Sequence, residues 1–337
     1  MTSRREFITG LTAAASATAV GLRASPSAAE PPPETTTLRL YRPPTTGPGV
    51  CNAPQFVAEE LLKAEGFADV RYTVADAVSS RRALAAGDVD FVARFVGNFI
   101  AQVDAGDPIV MLTGVHVGCY ELFASDRIRS VRDLKGKTIG VTEPGSGSHM
   151  FLVSLLSYVG LDSNKDVTLV TKPQEEAFSL FATGKLDAYQ AFSEEVQELL
   201  ARKIGHVIIS STTDRPWSQY FCCMLAGNRG FIRKHPIASK RATRAILKAS
   251  SMCALEPERA ARFVVDRGFT AAPYERVLDT LKSLPYTKWR DSDPQDTIRF
   301  YAVRLHEAGM IKSSPRKILA QGTDWRFLNE LKKELKG

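Results

Sequence analysis

The chain has 337 residues, 44% hydrophobic and 24% charged, with a formal net charge of +7, enough for one large domain or two medium ones. Arg4, Arg5 and Arg23 against Glu6 place two of those charges in the first 29 positions, leaving +5 spread along the remainder. That modest excess argues against nucleic-acid binding and suits a small anionic ligand or an anionic membrane surface.

Ser3-Arg4-Arg5-Glu6-Phe7-Ile8 is a twin-arginine pattern, followed by an Ala/Thr-rich apolar run to about Leu22 and by Ser27-Ala28-Ala29. We read 1–29 as a twin-arginine-type signal peptide cleaved near Ala29 and 30–35 as a linker, which predicts a periplasmic protein. The competing reading is a short amphipathic first helix, but Pro31-Pro32-Pro33 and Thr35-Thr36-Thr37 have the composition of a tether. No lipobox cysteine follows the apolar run, and no later segment approaches the ~18–20 apolar residues that a membrane helix needs.

The rest alternates short apolar runs with amphipathic stretches, the pattern of an α/β chain. Strands are expected at 37–41, 70–74, 90–95, 109–112 and 120–124, with helices at 53–64, 79–86 and 97–105. A Pro/Gly-rich loop from Arg42 to Val50 follows the first strand. The same grammar restarts with strands at 138–141, 167–170 and 187–192 and helices at 149–158 and 174–183. One motif recurs: Leu84-Ala85-Ala86-Gly87-Asp88-Val89-Asp90 parallels Phe181-Ala182-Thr183-Gly184-Lys185-Leu186-Asp187. A lone helix-stopping Gly means little, but two such copies at equivalent places suggest two similarly built halves. A strand at 220–226 follows, then helices at 233–255, 256–267, 274–283 and 295–308, with loops at 286–293 and 313–325.

The stretch 131–160 is the most informative. A basic turn leads into the strand 138–141, a loop of small residues (Pro144-Gly145-Ser146-Gly147-Ser148) and an apolar helix. A strand, a Gly/Ser loop and a helix start aim unpaired N–H groups and a positive dipole end at one point, a receptor for an anionic or strongly polar group.

Several features together carry a family resemblance. They are the twin-Arg leader, the L-x-x-G-x-x-D-F stretch closing on Gly97-Asn98, Glu121-Leu122-Phe123-Ala124-Ser125, the run Val131 to Val141 and the Gly-Ser-Gly-Ser-His loop. With them the chain resembles the periplasmic substrate-binding proteins of ABC importers, of the nitrate/sulfonate/taurine type and thiamine-pyrimidine type. The resemblance implies an α/β, two-lobed periplasmic-binding-protein fold (type II) with two crossing strands and a helical C-terminal region. Lobe I would be 36–127 and 226–337, and lobe II 128–225. It further implies a monomer that takes a small-molecule ligand, partners an ABC transporter membrane permease and binds no nucleic acid.

Gly145, Ser146, Gly147, Ser148 and His149 are the leading ligand-binding candidates; the alternative is a connector in which Ser148 caps its helix. Asn98 orients a polar ligand or caps a helix. Arg42 ends the first strand, near Cys51, Asn52 and Gln55. Arg94 in its apolar strand needs an anionic partner, with Asp76 or Glu121 available. His116, Cys119 and Tyr120 precede the first crossing, Tyr189, Gln190 and Phe192 follow the repeated Asp, and Trp217 and Tyr220 precede the second crossing. These are walls of the cleft or parts of the core.

Five cysteines (Cys51, Cys119, Cys222, Cys223, Cys253) are too few for a disulfide scaffold. His116, Cys119, His149 and Cys222-Cys223 lack the close-spaced ligand pairs of zinc sites, so no metal and no cofactor is expected. Nor does the Gly145–His149 loop match a nucleophile elbow. The function expected is non-catalytic capture of a sulfonate, nitrate or pyrimidine-precursor solute for ABC import. The alternatives are an enzyme resembling thiamine-pyrimidine synthase or a ligand-sensing interaction module.

Overall fold

Leu38 and Leu40 alternate with partly exposed residues along β1 (Thr37–Arg42), a period of two that buries one face of the strand. A computed structural model describes residues 30–45, 49–75 and 77–335 of the chain. Residues 1–29, expected to form a leader, and Asp76 lie outside the described residues. Every helix and strand among the described residues belongs to the unit from Pro32 onward.

A short 3-10 turn (Val50–Asn52) leads from the Pro/Gly loop into α1 (Ala53–Ala64), which returns the chain to β2 (Asp69–Val74), parallel to β1. Then come α2 (Ala77–Ala86), β3 (Phe91–Phe95), α3 (Val96–Asp104) and β4 (Ile109–Val117). The chain next passes through Gly118 and Cys119 into β5 (Tyr120–Ala124). The grammar repeats as β6 (Thr138–Val141), α4 (Gly147–Tyr158), β7 (Thr168–Thr171), α5 (Gln174–Ala182), β8 (Ala188–Phe192), α6 (Ser193–Ala201) and β9 (His206–Ser210). β10 (Phe221–Asn228) comes after them.

Two five-stranded sheets result, ordered β2-β1-β3-β10-β4 and β7-β6-β8-β5-β9. They share one plan. In each, a strand arriving from the other half runs antiparallel in the fourth place: β10 between β3 and β4, and β5 between β8 and β9. The repeated motif has one job in both. Asp90 accepts from the Arg39 N–H at 2.7 Å, and Asp187 accepts from the Thr138 N–H at 2.8 Å, each pinning the neighbouring parallel strand near its start.

The C-terminal region is helical: α7 (Arg229–Lys234), α8 (Pro236–Leu255), α9 (Pro257–Asp266), α10 (Tyr274–Ser283), α11 (Pro294–Glu307), α12 (Pro315–Gly322) and α13 (Arg326–Glu334). Proline at the first turn sets φ without removing a needed donor, and it begins α8, α9, α11 and α12. α8 packs along α1, where Arg244 forks onto both oxygens of Glu65 at 2.9 Å. No helix among the described residues is long and apolar enough to cross a membrane.

The α/β, two-sheet architecture is the one expected. Four details differ. α6 and β9 are additional elements. The helix expected at 233–255 is two, because His235 leaves helical geometry (φ −131°, ψ 64°) ahead of Pro236. The loop expected at 313–325 contains α12, begun by the Ser314 hydroxyl accepting from Lys317 N–H. Finally, the sheets exchange chain at Gly118-Cys119 and between Ser211 and Tyr220. β5, placed by the sequence in the first lobe, therefore belongs to the second sheet, and most of β10 lies before the expected boundary at 226.

Candidate functional site

The carboxyl ends of the parallel strands in both sheets open on one cavity of about 790 Å³. One side carries Tyr41, Asn52, Phe95 and Asn98, the other Tyr120, Thr142, Ser146, Lys172 and Phe192, with Cys51, Cys119 and Cys223 between them. A second hollow of about 700 Å³, lined by Thr212, Arg215, Gln219, Lys282 and Lys288, has no α-helix N-cap and no aromatic ring in its lining, so the site is placed in the cleft.

Helix starts dominate its walls. The N-cap residues of α1 (Asn52), α3 (Phe95), α4 (Ser146), α5 (Pro173) and α6 (Phe192) all line the cavity. Five positive dipole ends converge there. The caps at Asn52, Phe95 and Pro173 close no first turn with a side-chain bond, leaving first-turn N–H donors for an occupant.

Side-chain charge adds to this. Arg94 is held at the cavity by Ser80 (2.9 Å) and Gln102, with its guanidinium 5.1 Å from the Phe99 ring. Burial pulls its pKa down to about 10, so it stays cationic at neutral pH. Lys172 lies on the opposite wall, paired with Glu176 at 2.7 Å. Phe95, Tyr120 and Phe192 form the aromatic part, Tyr120 lying edge-on to Phe95 with centroids 5.5 Å apart and 5.3 Å from Phe192. Beside the cavity, two hydrogen-bonded contacts among the described residues cross between the halves. Asn98 Nδ2 donates to the Gly145 carbonyl at 2.6 Å, and Glu194 on α6 accepts from the Gly49 and Val50 N–H groups at 3.0 and 2.9 Å.

Among the expected site residues, Asn98, Tyr120, Ser146 and Gly147 line the cavity. Gly145 stands at its edge, with φ +78° and its carbonyl engaged by Asn98. α4 starts two residues earlier than expected: Ser146, not Ser148, caps it, accepting from the His149 N–H. Ser148 is fully buried beneath the loop, bonded to Thr142 Oγ1 at 2.6 Å, and His149 Nδ1 accepts from the Gly145 N–H. Both shape the loop from behind.

Arg42 does not face the cleft. Strand alternation turns Tyr41 to the cavity and Arg42 outward, where it donates to the Gly268 carbonyl at 3.2 Å and lies over Phe269. Tyr189 is core, its hydroxyl donating to Glu195 at 2.7 Å. Gln190 is buried and donates to the Glu121 carbonyl. Trp217 packs against Phe151, Tyr158 and Phe300. None of these three lines the cavity, because neighbouring rings or strands cover them. Nor does Glu121 serve Arg94; it accepts from Ser210 Oγ at 3.0 Å. Gln55 is a pin between strands, bonded to the Tyr41 carbonyl and the Ala93 N–H.

His116 is buried, Nδ1–H donating to its neighbour Val117's carbonyl at 3.2 Å, and its Nε2 finds no partner. It lies in a group with Cys51, Cys119 and Cys223, whose four ligating atoms fall within 4.8 Å of one another. Cys222 and His149, weighed with them in the sequence, are outside that group. Tyr41, Phe95, Thr142, Lys172 and Gln174 are wall residues that sequence reasoning passed over, of which Lys172 and Gln174 carried a local signal. That signal was their place just after β7, at the start of α5.

The NMT1-like family model matches residues 33–265. The chain belongs to the NMT1-like family. Solved structures similar to it include the nitrate-binding protein NrtA from Synechocystis PCC 6803, at 15% identity and TM-score 0.73, covering 91% of this chain and 90% of that one. Another is the putative periplasmic sulfonate-binding protein SsuA from Methylobacillus flagellatus KT, at 18% identity and TM-score 0.67, covering 89% and 94%. A third is DszB in complex with biphenyl-2-sulfinic acid, at 16% identity and TM-score 0.61, covering 89% and 100%. At these identities the likeness establishes the periplasmic-binding-protein fold. A search of the curated proteins returns no match.

Proposed function

We propose that this protein is an extracytoplasmic solute-binding component that captures a small organic anion and hands it to an ABC importer's membrane permease. The observation that carries this reading is the convergence of five helix N-termini, with Arg94 and Lys172, on one cavity between two sheets. Backbone N–H groups at helix starts replace the water around an anionic head without needing a counter-charge for every oxygen. Phe95, Tyr120 and Phe192 give the rest of the solute an apolar bed, and about 790 Å³ admits far more than a nitrate ion. An alkyl or aryl sulfonate, sulfinate or carboxylate fits that combination best. The sulfonate-binding, nitrate-binding and sulfinate-complexed proteins of similar structure agree with an oxyanion head.

Closure of the halves by hinge motion at Gly118-Cys119 and at 211–220 would enclose the solute. The twin-arginine leader supports a periplasmic location, and the chain is read as a monomer without catalytic residues.

Calorimetric titration with nitrate, taurine, longer alkanesulfonates, aryl sulfonates and carboxylates, and neutral pyrimidines tests the proposal. Micromolar binding of an organic anion without turnover is expected. Preference for a neutral pyrimidine, or chemical conversion of a bound anion, would overturn it.

A further inference from the structure

We propose that the floor of the cleft is a tetrahedral site for a thiophilic divalent ion of the zinc class, ligated by the Sγ atoms of Cys51, Cys119 and Cys223 and by His116 Nε2. The site stands on its own geometry, whatever solute the cavity carries. Three separated parts of the chain supply the ligands: the turn before α1, the end of β4 with the Gly118-Cys119 crossing that follows it, and β10, where Cys223 pairs with His116 in the antiparallel ladder. All four are buried, with relative exposures of 8%, 0%, 4% and 2% for Cys51, His116, Cys119 and Cys223. Their ligating atoms lie within 4.8 Å of one another. A tetrahedron with metal–sulfur bonds of about 2.3 Å has edges near 3.8 Å, so small side-chain rotations complete it.

The imidazole supplies the independent sign. A buried ring nitrogen without a partner is costly unless something occupies the position it faces. Nδ1–H is committed to the Val117 carbonyl, which fixes the tautomer and leaves the Nε2 lone pair without a hydrogen-bond partner. That second bond is the usual support of a metal-bound histidine, orienting the ring and raising its basicity. Cys119 holds φ +139°, a backbone conformation rare outside glycine, at the residue through which the first sheet gives way to the second. Three thiols and one neutral imidazole are a soft donor set suited to a closed, four-coordinate site. Three thiolates and a neutral imidazole around a divalent ion give the liganded centre a charge of −1. Such an ion fastens the first crossing to β4, β10 and the base of α1.

The full chain, purified under reductant and stripped with chelator, is titrated with Co²⁺ and then Zn²⁺. The expected result is one Co²⁺ per chain, with the intense visible bands of a tetrahedral thiolate complex, and displacement by Zn²⁺. Cys51→Ala and His116→Gln should each abolish or reshape the bands, whereas Cys253→Ala, a buried thiol of α8 outside the group, should leave them intact. Should Cys51→Ala fail to fold, the stoichiometry and spectrum of the unaltered chain still decide. No uptake by the reduced chain, or bands indifferent to both Cys51→Ala and His116→Gln, overturns the site.

Discussion

The Asn98 side-chain amide donates to the Gly145 carbonyl at 2.6 Å, joining the first turn of α3 to the loop that opens α4. The bond links the two halves directly beside the cavity. On the proposed hinge closure it holds the halves together and would be lost if the cleft opened there. Asn98→Ala should therefore weaken solute binding about 5- to 10-fold, the worth of about 1 kcal/mol for one such bond, with little change in melting temperature. Calorimetry and thermal melts on the same samples check it; equal affinities would show that this bond does not report closure.

Gly147 is required by Tyr120. A Cβ at position 147 would stand 2.2 Å from the Tyr120 hydroxyl and 3.1 Å from Phe95 Cβ. Gly147→Ala should destabilise the protein by about 1–3 kcal/mol, as overpacking does, besides impairing the site. Tyr120→Phe removes the offending oxygen, so the double variant should recover much of the lost stability. A double-mutant cycle by denaturant unfolding measures this coupling; strictly additive effects would contradict it.

Arg94 offers a test of ligand charge. Arg94→Met keeps bulk and removes the cation, leaving Ser80 and Gln102 to rearrange. Charge-assisted hydrogen bonds contribute about 1.5–3 kcal/mol, so affinity for the anionic solute should fall about 10- to 150-fold. Titration of a neutral isostere of the same solute should show little change. A comparable loss for both would place Arg94 in support of the fold alone.

Glu195 sets a pH dependence. Burial pushes its carboxyl from 4.5 up to about 7, against the opposing bonds from the Phe192 N–H and the Tyr189 hydroxyl. Between those values the folded chain holds a proton that the unfolded chain has released. Stability is therefore fullest below about pH 4.5 as far as this group is concerned, falls as pH rises to about 7, and levels off above that. The contribution is up to about 3 kcal/mol in all. Glu195→Gln should remove that decline and exceed the unaltered protein in urea midpoint at pH 8, with Tyr189 then accepting from the amide. Parallel curves for the two proteins from pH 5 to 8 would refute it.

Local pattern was enough for most of the architecture, because short apolar runs such as Leu38 to Leu40 in β1 and longer amphipathic stretches such as Glu256 to Arg267 around α9 carry periods of two and of 3.6. The Asp90 and Asp187 motifs were legible as repeats, and the structure adds what the carboxylates hold. α12 had its signal in Ser314-Pro315, a cap followed by proline, and β9 in the run Val207-Ile208-Ile209; both sat in stretches that looked like connections. In the site, the glycine-serine loop was visible because its chemistry is contiguous. Which hydroxyl faces outward was not, since a two-residue shift in the start of α4 exchanges Ser146 for Ser148. Arg42 and Tyr189 failed for a related reason: residue type marks a site-prone neighbourhood, but strand alternation and local packing decide the direction. The grouping of Cys51 with Cys119, His116 and Cys223 depends on two strands from distant parts of the chain meeting as neighbours, which no local spacing records.

β10 lies in the interior of the first sheet, between β3 and β4, yet it is made only after every strand of the second sheet. Until about residue 228 has left the ribosome, β3 and β4 have no common neighbour and both present open edges. The first half therefore has to wait, loosely organised, while the second half can already close upon itself. A chain cut after β4 would carry a sheet lacking its inner strand, so shortened versions of this protein are expected to aggregate rather than yield a working lobe. A leader that sends its passenger through the twin-arginine route would suit such a chain, since the last piece of its first half arrives late and folding is finished before the crossing.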